Sequence, residues 1–350
     1  MNGNFNTVNS FHSLKCPTCN GDCILPARKL LDDILGMYMA CGSCPPDPVF
    51  SKNIPLSNNI DDHTGLCPEC KKRHLDFVMG NVLTILKEKG LFPRDALLRE
   101  VGTPLISFGY QIPYPPRLGS KDIVLIMDSI TKDIAEEIIK KVPEIKGVIK
   151  RKGLQSQSIG ILDTDSSPHT YELLSGCDMR CDVILSLFGE LCIYKNQSRI
   201  HIEFNNTKIK KMEELYLRGE LENAVVVDGF CGPGTLGLLS VLGGARKVIL
   251  NDAWLPALRN TILNIKVNSS LLGINMVFEN QDHNELIGDE PLLLAKATGK
   301  SEVMVYHGDI RKLDMVVKES DICIIDTFPS INPARFMGAC KDLSKKLVII

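Results

Sequence analysis

No apolar run in the 350-residue chain approaches the roughly 20 residues that cross a bilayer, so a membrane span is excluded. The opening MNGNFNTVNSFHSLKC lacks the charged-then-apolar order of a secretion signal, and a soluble, cytoplasmic protein is expected. An excess of one charge is missing too: 40 Lys and Arg against 42 Asp and Glu give a net −2. No global positive field draws in nucleic acid, and any polyanion has to meet a local patch. Internal repeats and low-complexity segments are also absent. At roughly 100–200 residues per domain, the length fits two or three domains with cores of their own.

Cysteine, by contrast, is plentiful. Seven of 13 lie before residue 71, largely as C-x2-C pairs. In a chain that is not secreted, this pattern points to metal thiolates rather than disulfides, and the odd total agrees. Cys16–Cys19, Cys41–Cys44 and Cys67–Cys70 each allow two sulfurs to reach one ion, and two such pairs complete a tetrahedral zinc site. Pro17 and Pro68, inside CPTC and CPEC, suit the tight turns of zinc knuckles. Cys23 extends the first pair to C-x2-C-x3-C, which makes an iron–sulfur cluster with one open iron the alternative there. His63 and His74 are reserve ligands that read first as surface residues. Cys177, Cys181, Cys192, Cys323 and Cys340 read as small core or surface residues.

The organisation follows from periodicity. Residues 1–75 hold one helical run, ARKLLDDILGMYM, and too little else apolar for a packed core, so a metal is expected to hold them together. Residues 76–103 read as a linker or cap of two amphipathic helices broken at Gly90 and Pro93. Residues 104–204 carry strand patterns in IVLIMDS, VIKRKG, IGILDTD, DVILSLF and LCIY, with IAEEIIKKV as a helix, which suggests a small α+β domain. From 205 to 350, strands VVVDGF, KVILND, EVMVYHGD, DICIIDT and KLVII alternate with helices and imply a parallel sheet.

Strand Val225–Val227 runs into the turn DGFCGPGT and then a helix. Glycines there let the backbone approach a ligand, and the helix N-terminus offers unpaired N–H groups. Asp252 ends the next strand about 20 residues on, where an acid can accept both ribose hydroxyls of a nucleoside. His307-Gly308-Asp309 and Asp326-Thr327-Phe328-Pro329-Ser330 end two further strands. All four clusters fall at strand C-termini, the edge where open α/β sheets bind ligands.

With these motifs the chain resembles class I S-adenosylmethionine-dependent methyltransferases over roughly residues 205–350. DGFCGPGT is similar to their first motif, Asp252 to the ribose acid, Asp309 to the residue that reads the adenine amino group, and DTFPS to the catalytic-loop motif. The resemblance implies a Rossmann-like fold and cofactor contacts at Asp228, Phe230, Cys231, Gly232, Gly234, Asp252, Ala253, Asp309 and Asp326. Asp326 is also the candidate catalytic carboxylate.

PEIKGVIKRKG, YELLSGCDMRCDVILSLFGELCIY and IEFNNTKIKKMEELYL extend the resemblance upstream to about residue 104. They are similar to the family that methylates guanine N1 beside the tRNA anticodon and to its wybutosine-pathway relatives, which transfer an aminocarboxypropyl group. Lys208 stands where those methyltransferases carry a catalytic Glu, and Thr327 where they carry Asn. The cysteine-rich segment replaces their tRNA-docking module. The last strand pair of a full methyltransferase sheet has no counterpart, so a C-terminally truncated sheet is expected. Pro329-Ser330 and Trp254 resemble the aminocarboxypropyl transferases more closely.

The leading expectation is thus a methyltransferase acting on tRNA or a nucleobase-like acceptor, with aminocarboxypropyl transfer second. Use of the same cofactor in building a small molecule or metallocofactor is a further alternative, and a non-catalytic cofactor-binding protein another. Lys146, Lys150, Arg151 and Lys152, with the lysines of 208–211, are the candidate phosphate contacts, although such runs are usually solvated faces.

Overall fold

A computed structural model of the chain describes residues 14–56, 59–153, 158–165, 167–201, 207–280, 287–328 and 331–350. Among these, no helix is long and apolar enough to cross a membrane.

The valine- and isoleucine-rich runs after residue 220 build one seven-stranded sheet in the order β12 (Ile274–Glu279), β13 (Leu292–Gly299), β14 (Glu302–His307), β11 (Lys247–Asp252), β10 (Val225–Asp228), β15 (Ser320–Ile325) and β16 (Ser344–Ile349). β10, β11, β14, β15 and β16 are parallel. β10 is buried along its whole length because both faces are covered. Val226, Val248 and Leu250 pack on one face with α4 (Thr207–Leu217), α5 (Thr235–Leu242) and α6 (Leu255–Leu272). Val225, Val227 and Ile249 pack on the other with Phe336, Cys340 and Leu343 of α7 (Ala334–Leu343). From β10 the chain steps outward to β11 and β14, then returns to β15 and β16. This is a Rossmann-like doubly wound sheet whose direction reverses between β10 and β15.

The five parallel strands are those expected. The hairpin of β12 and β13 was not, and it adds antiparallel to β14. Its sequence signal is weak because β12 alternates poorly and a register shift at Met276/Phe278 breaks its pattern.

The middle of the chain forms two further sheets. β2 (Thr103–Ile106), β5 (Ile123–Met127), β6 (Ile145–Lys150) and β7 (Glu172–Gly176) make one, with α3 (Lys132–Lys141) as the crossover between parallel β5 and β6. β3 (Phe108–Gly109), β8 (Met179–Ser186) and β9 (Gly189–Asn196) make the other. IGILDTD is not the strand its pattern suggests. It turns at Gly160, makes a single bridge to His169, and is pinned by Arg335 on Asp163 (2.7 Å) and Arg311 on Asp165 (3.0 Å).

Two expectations about the first hundred residues fail for one reason. α1 (Ala27–Met37) buries Ala27, Leu30 and Ile34, a stripe at helical spacing, and Tyr38 follows it into the interior. α2 (Leu75–Glu88) is buried continuously from Val78 to Leu86, and so is a core helix and not an amphipathic linker. Both belong to one apolar cluster with α3, β5 and part of α6, which runs across the expected boundaries at 75 and 103. Arg73, fully buried, closes the junction with two hydrogen bonds to Glu144 at 2.8 and 2.7 Å.

A row of asparagines on α6 sets the middle sheet against the seven-stranded one. Asn260, Asn264 and Asn268, spaced by four, accept from the backbone N–H groups of Asn196, Tyr194 and Cys192 on the edge of β9 at 3.1, 2.7 and 2.9 Å. Asn264 and Asn268 also donate to the carbonyls of Tyr194 and Cys192. Helix side chains thereby replace the neighbouring strand that an edge would otherwise need.

Candidate functional site

A cavity of about 740 Å³ opens at the C-terminal edge of the parallel strands, at the β10/β15 reversal, and its far wall comes from the middle domain. At one end lie Phe230, Cys231, Gly232, Asp252, Trp254, Asp326, Thr327 and Phe328. The turn after β10 needs its glycines. Gly232 and Gly234 have φ of +52° and +88°, and a Cβ on Gly234 would lie 3.0 Å from Thr261.

Asp252 holds this turn in place. Its Oδ2 accepts from Gly232 N at 2.7 Å and its Oδ1 from Trp254 N at 2.7 Å. A carboxylate has roughly four acceptor positions, so about two remain for hydroxyls of a ligand. Asp228 is fully buried beneath the turn, where its Oδ2 accepts from Gly237 N at 2.9 Å. Its Oδ1 has no hydrogen-bond partner among the described residues. Asp326 lines the cavity and receives a hydrogen bond from Lys208 Nζ at 2.6 Å across it.

Of the expected contacts, Phe230, Cys231, Gly232, Asp252 and Asp326 therefore meet in one cavity. Gly234 lies behind its wall. Ala253 is buried, its carbonyl 3.1 Å from His307 Nε2. Asp309 does not line the cavity: Arg311 grips it at 2.9 Å from Nε and 2.5 Å from Nη2, and it caps the turn Ile310–Met315. The Pro329-Ser330 feature and residues 202–206 of IEFNNTK fall outside the described residues.

The opposite wall was missed in the sequence. Arg180 and Asp182 alternate on one face of β8, Lys195 stands across from Arg180 on β9, and all three line the cavity. Asp182 bridges the two cations, 2.5 Å from Arg180 and 3.0 Å from Lys195. The available signal was the i, i+2 placement of opposite charges within a strand pattern. The candidate phosphate contacts are largely buried or ion-paired. Lys146 is buried and donates to Met179 O, Arg151 pairs with Asp128, Lys152 with Glu172, Lys208 with Asp326 and Lys211 with Glu214.

Burial pushes the Asp228 carboxyl up to about 8, with the Asp326 charge adding to the rise and the Gly237 N–H opposing it. Burial likewise pushes Asp252 up to about 7, against the pull of the Trp254, Gly232 and Ala253 N–H groups. Both folded-state values exceed the unfolded one near 4, so the folded form binds more protons in between. Stability from these groups is full below about pH 4 and is lost as pH rises through about 7 and 8. Cofactor-free protein is expected to melt at lower temperature at pH 8 than at pH 5.5, and Asp228→Asn, which keeps an acceptor for Gly237, to show a smaller drop. Equal drops in thermal scans of the two proteins would contradict the assignment.

The cysteines sort into two groups of four, each with all its sulfurs within 4.8 Å of one another. Cys41, Cys44, Cys67 and Cys70 form the first, with separations of 3.7 Å (41–44), 3.5 Å (41–67) and 3.6 Å (44–70). Metal–sulfur bonds of about 2.3 Å in a tetrahedron require edges of about 3.8 Å, so this group fits one zinc ion. Cys16 and Cys19 join Cys23 in the second group, and the fourth member is Cys177, which had read as an ordinary core or surface residue. Neither histidine takes part: His74 caps α2 by accepting from Asp76 N, and His63 is exposed. Cys181, Cys192, Cys231, Cys323 and Cys340 are buried.

No protein-family model and no curated protein matches the chain. Among solved structures it is similar to TYW2 of P. horikoshii in complex with MeSAdo, at 16% identity and a TM-score of 0.41, over 76% of each chain. It is also similar to the M. jannaschii tRNA m1G37 methyltransferase, at 17% identity and 0.35, over 64% of this chain and 53% of that one. Trm1 of Pyrococcus horikoshii with S-adenosyl-L-methionine gives 17% identity and 0.34, over 47% of this chain and 40% of that one. The chain thus spans less than two thirds of the length of the last two.

Proposed function

We propose that the chain is an S-adenosylmethionine-dependent transferase that moves a methyl group to a nucleobase-like acceptor, with tRNA as its macromolecular form. The observation that carries this is the single cavity in which the glycine turn, Asp252 and Trp254 face the Asp326-Thr327-Phe328 loop. Asp252 fits the ribose hydroxyls, Gly232 lets the backbone approach, and Trp254 and Phe230 supply flat apolar surface for a base. Bound S-adenosylmethionine supplies an electrophilic carbon on its sulfonium centre. The β8–β9 wall with Arg180, Asp182 and Lys195 is the place for the acceptor, which it would hold against that carbon. Cys41, Cys44, Cys67 and Cys70 are proposed to hold a structural zinc ion.

Removing a ring proton requires a base, and the residue at the family's catalytic Glu position is here Lys208, bonded to Asp326. Purified protein is therefore expected to form little N1-methylguanosine in unmodified tRNA, as measured by nucleoside mass spectrometry; efficient formation would show this account of the base to be wrong. The ion-paired basic runs favour a second reading, a small-molecule acceptor. A gel shift with bulk tRNA at two salt concentrations separates the two, since phosphate-driven binding weakens with salt.

Product analysis tests the reaction itself. S-adenosylhomocysteine above background supports methyl transfer, and methylthioadenosine in its place marks aminocarboxypropyl transfer. Cofactor binding without either product across tRNA, nucleosides and cell-extract metabolites would overturn the transferase reading in favour of a binding protein.

A further inference from the structure

Cys16, Cys19 and Cys23 come from one loop, while Cys177 lies in the turn between β7 and β8, more than 150 residues away. The sulfurs of Cys16 and Cys177 are 3.6 Å apart, Cys19 and Cys23 3.7 Å, and Cys23 and Cys177 3.9 Å. These are the edges of a tetrahedron around one ion of zinc size, and they are too long for a disulfide. A cluster of two or more irons divides the four thiolates among separate irons and so spreads them beyond the 4.8 Å within which all four sulfurs lie here.

The surroundings are built for thiolates. CPTC repeats the backbone of CPEC: Cys16 N donates to Gly21 O at 3.0 Å, as Cys67 N does to Lys72 O at 3.0 Å. Asn20 and Lys71, each directly after the second cysteine, both take left-handed φ, +55° and +57°. Backbone N–H groups of Thr18 and Cys19 point at the Cys16 sulfur, as those of Glu69 and Cys70 do at Cys67. The Met179 N–H reaches Cys177, and the buried Lys146 ammonium adds positive charge beside Cys23 and Cys177. Four thiolates on a divalent ion leave two net negative charges, which N–H donors and one buried cation offset.

We propose that Cys16, Cys19, Cys23 and Cys177 bind one zinc ion in a closed tetrahedral shell, which clamps the Cys16–Cys23 loop onto the turn that starts β8. The clamp has a place in the architecture of the cavity. Asp178, next to Cys177, accepts from Thr18 Oγ1, Asn196 Nδ2 and Ser198 N at 3.2, 3.1 and 3.0 Å. Arg180 and Asp182 follow on the same strand and line the acceptor wall. The ion therefore sets the origin of the strand that carries those side chains.

Elemental analysis of protein purified without air and without chelator is expected to give two zinc ions per chain, falling to one in Cys177→Ser and to one in Cys67→Ser. Cys19 provides a second measurement on the unaltered protein, because it is exposed. Its thiol is expected to resist iodoacetamide until a chelator is added, which burial cannot explain. If Cys177→Ser does not fold, the wild-type zinc count and Cys19 protection decide. One zinc per chain with Cys19 labelled at the rate of a free thiol would overturn the proposal. So would two ions with no loss in a folded Cys177→Ser protein, or iron with acid-labile sulfide at this site.

Discussion

Protein carrying Cys67→Ser is expected to lose the packing of the α1 and α2 layer while the β10–β16 sheet stays folded. Cys67 is fully buried, and two backbone N–H groups point at its sulfur. Structural zinc sites contribute roughly 10–16 kcal/mol of apparent binding free energy to folding, against net domain stabilities of about 5–15 kcal/mol. Losing one of four thiolates removes a large share of that stabilisation. The damage should reach beyond residue 75, because Leu30, Ile34 and Tyr38 share one apolar cluster with Val78, Val82 and Leu86. Arg73 lies just past the knuckle and would no longer be held against Glu144. An isolated charge left in that interior costs about 3–5 kcal/mol more. Hydrogen exchange is the measurement. Amides of Ala27–Met37 and Leu75–Glu88 should exchange faster by orders of magnitude, and those of β10, β11 and β15 should stay protected. Unchanged protection in both helices would refute a stabilising metal at this site.

Asp252→Ala is expected to weaken S-adenosylmethionine binding by about ten- to a hundredfold. The residue is 5% exposed and lines the cavity. Hydrogen bonds to a charged group are worth roughly 1.5–3 kcal/mol, and each 1.4 kcal/mol is tenfold in affinity. Alanine also releases the Gly232 and Trp254 N–H groups, which shape the turn. Asp252→Asn keeps a neutral acceptor and should fall between alanine and the native protein. Calorimetric titration gives the ranking directly. Equal affinity in all three proteins would remove Asp252 from the site, whatever the acceptor proves to be.

Much of the architecture was legible because it is local. Five apolar runs of strand length, four of them ending in or running into Asp or His, determine a parallel sheet with its ligand edge at those ends. The C-x2-C spacing determines that two sulfurs can share an ion, since two intervening residues suffice for the knuckle. The sequence by itself also placed Asp252 one strand beyond the glycine turn, which is enough to pair them once β11 lies beside β10.

What remained hidden depends on contacts between distant segments. Cys177 carries no local signal, and only the packing of the β7–β8 turn beside the Cys16 loop makes it a fourth sulfur. Asn260, Asn264 and Asn268 look like polar interruptions in a buried helix until β9 presents its open edge to them. The family resemblance assigns Asp309 an adenine-reading role, and only the fold shows that Arg311, two residues on, grips its carboxylate away from the residues that line the cavity. The acceptor wall is decided in the same way: Arg180, Asp182 and Lys195 become a site only when the middle sheet is set over the strand ends of another. Sequence periodicity determines which face of an element is buried, whereas the partner that buries it, and the chemistry gathered where two such faces meet, is set by tertiary packing.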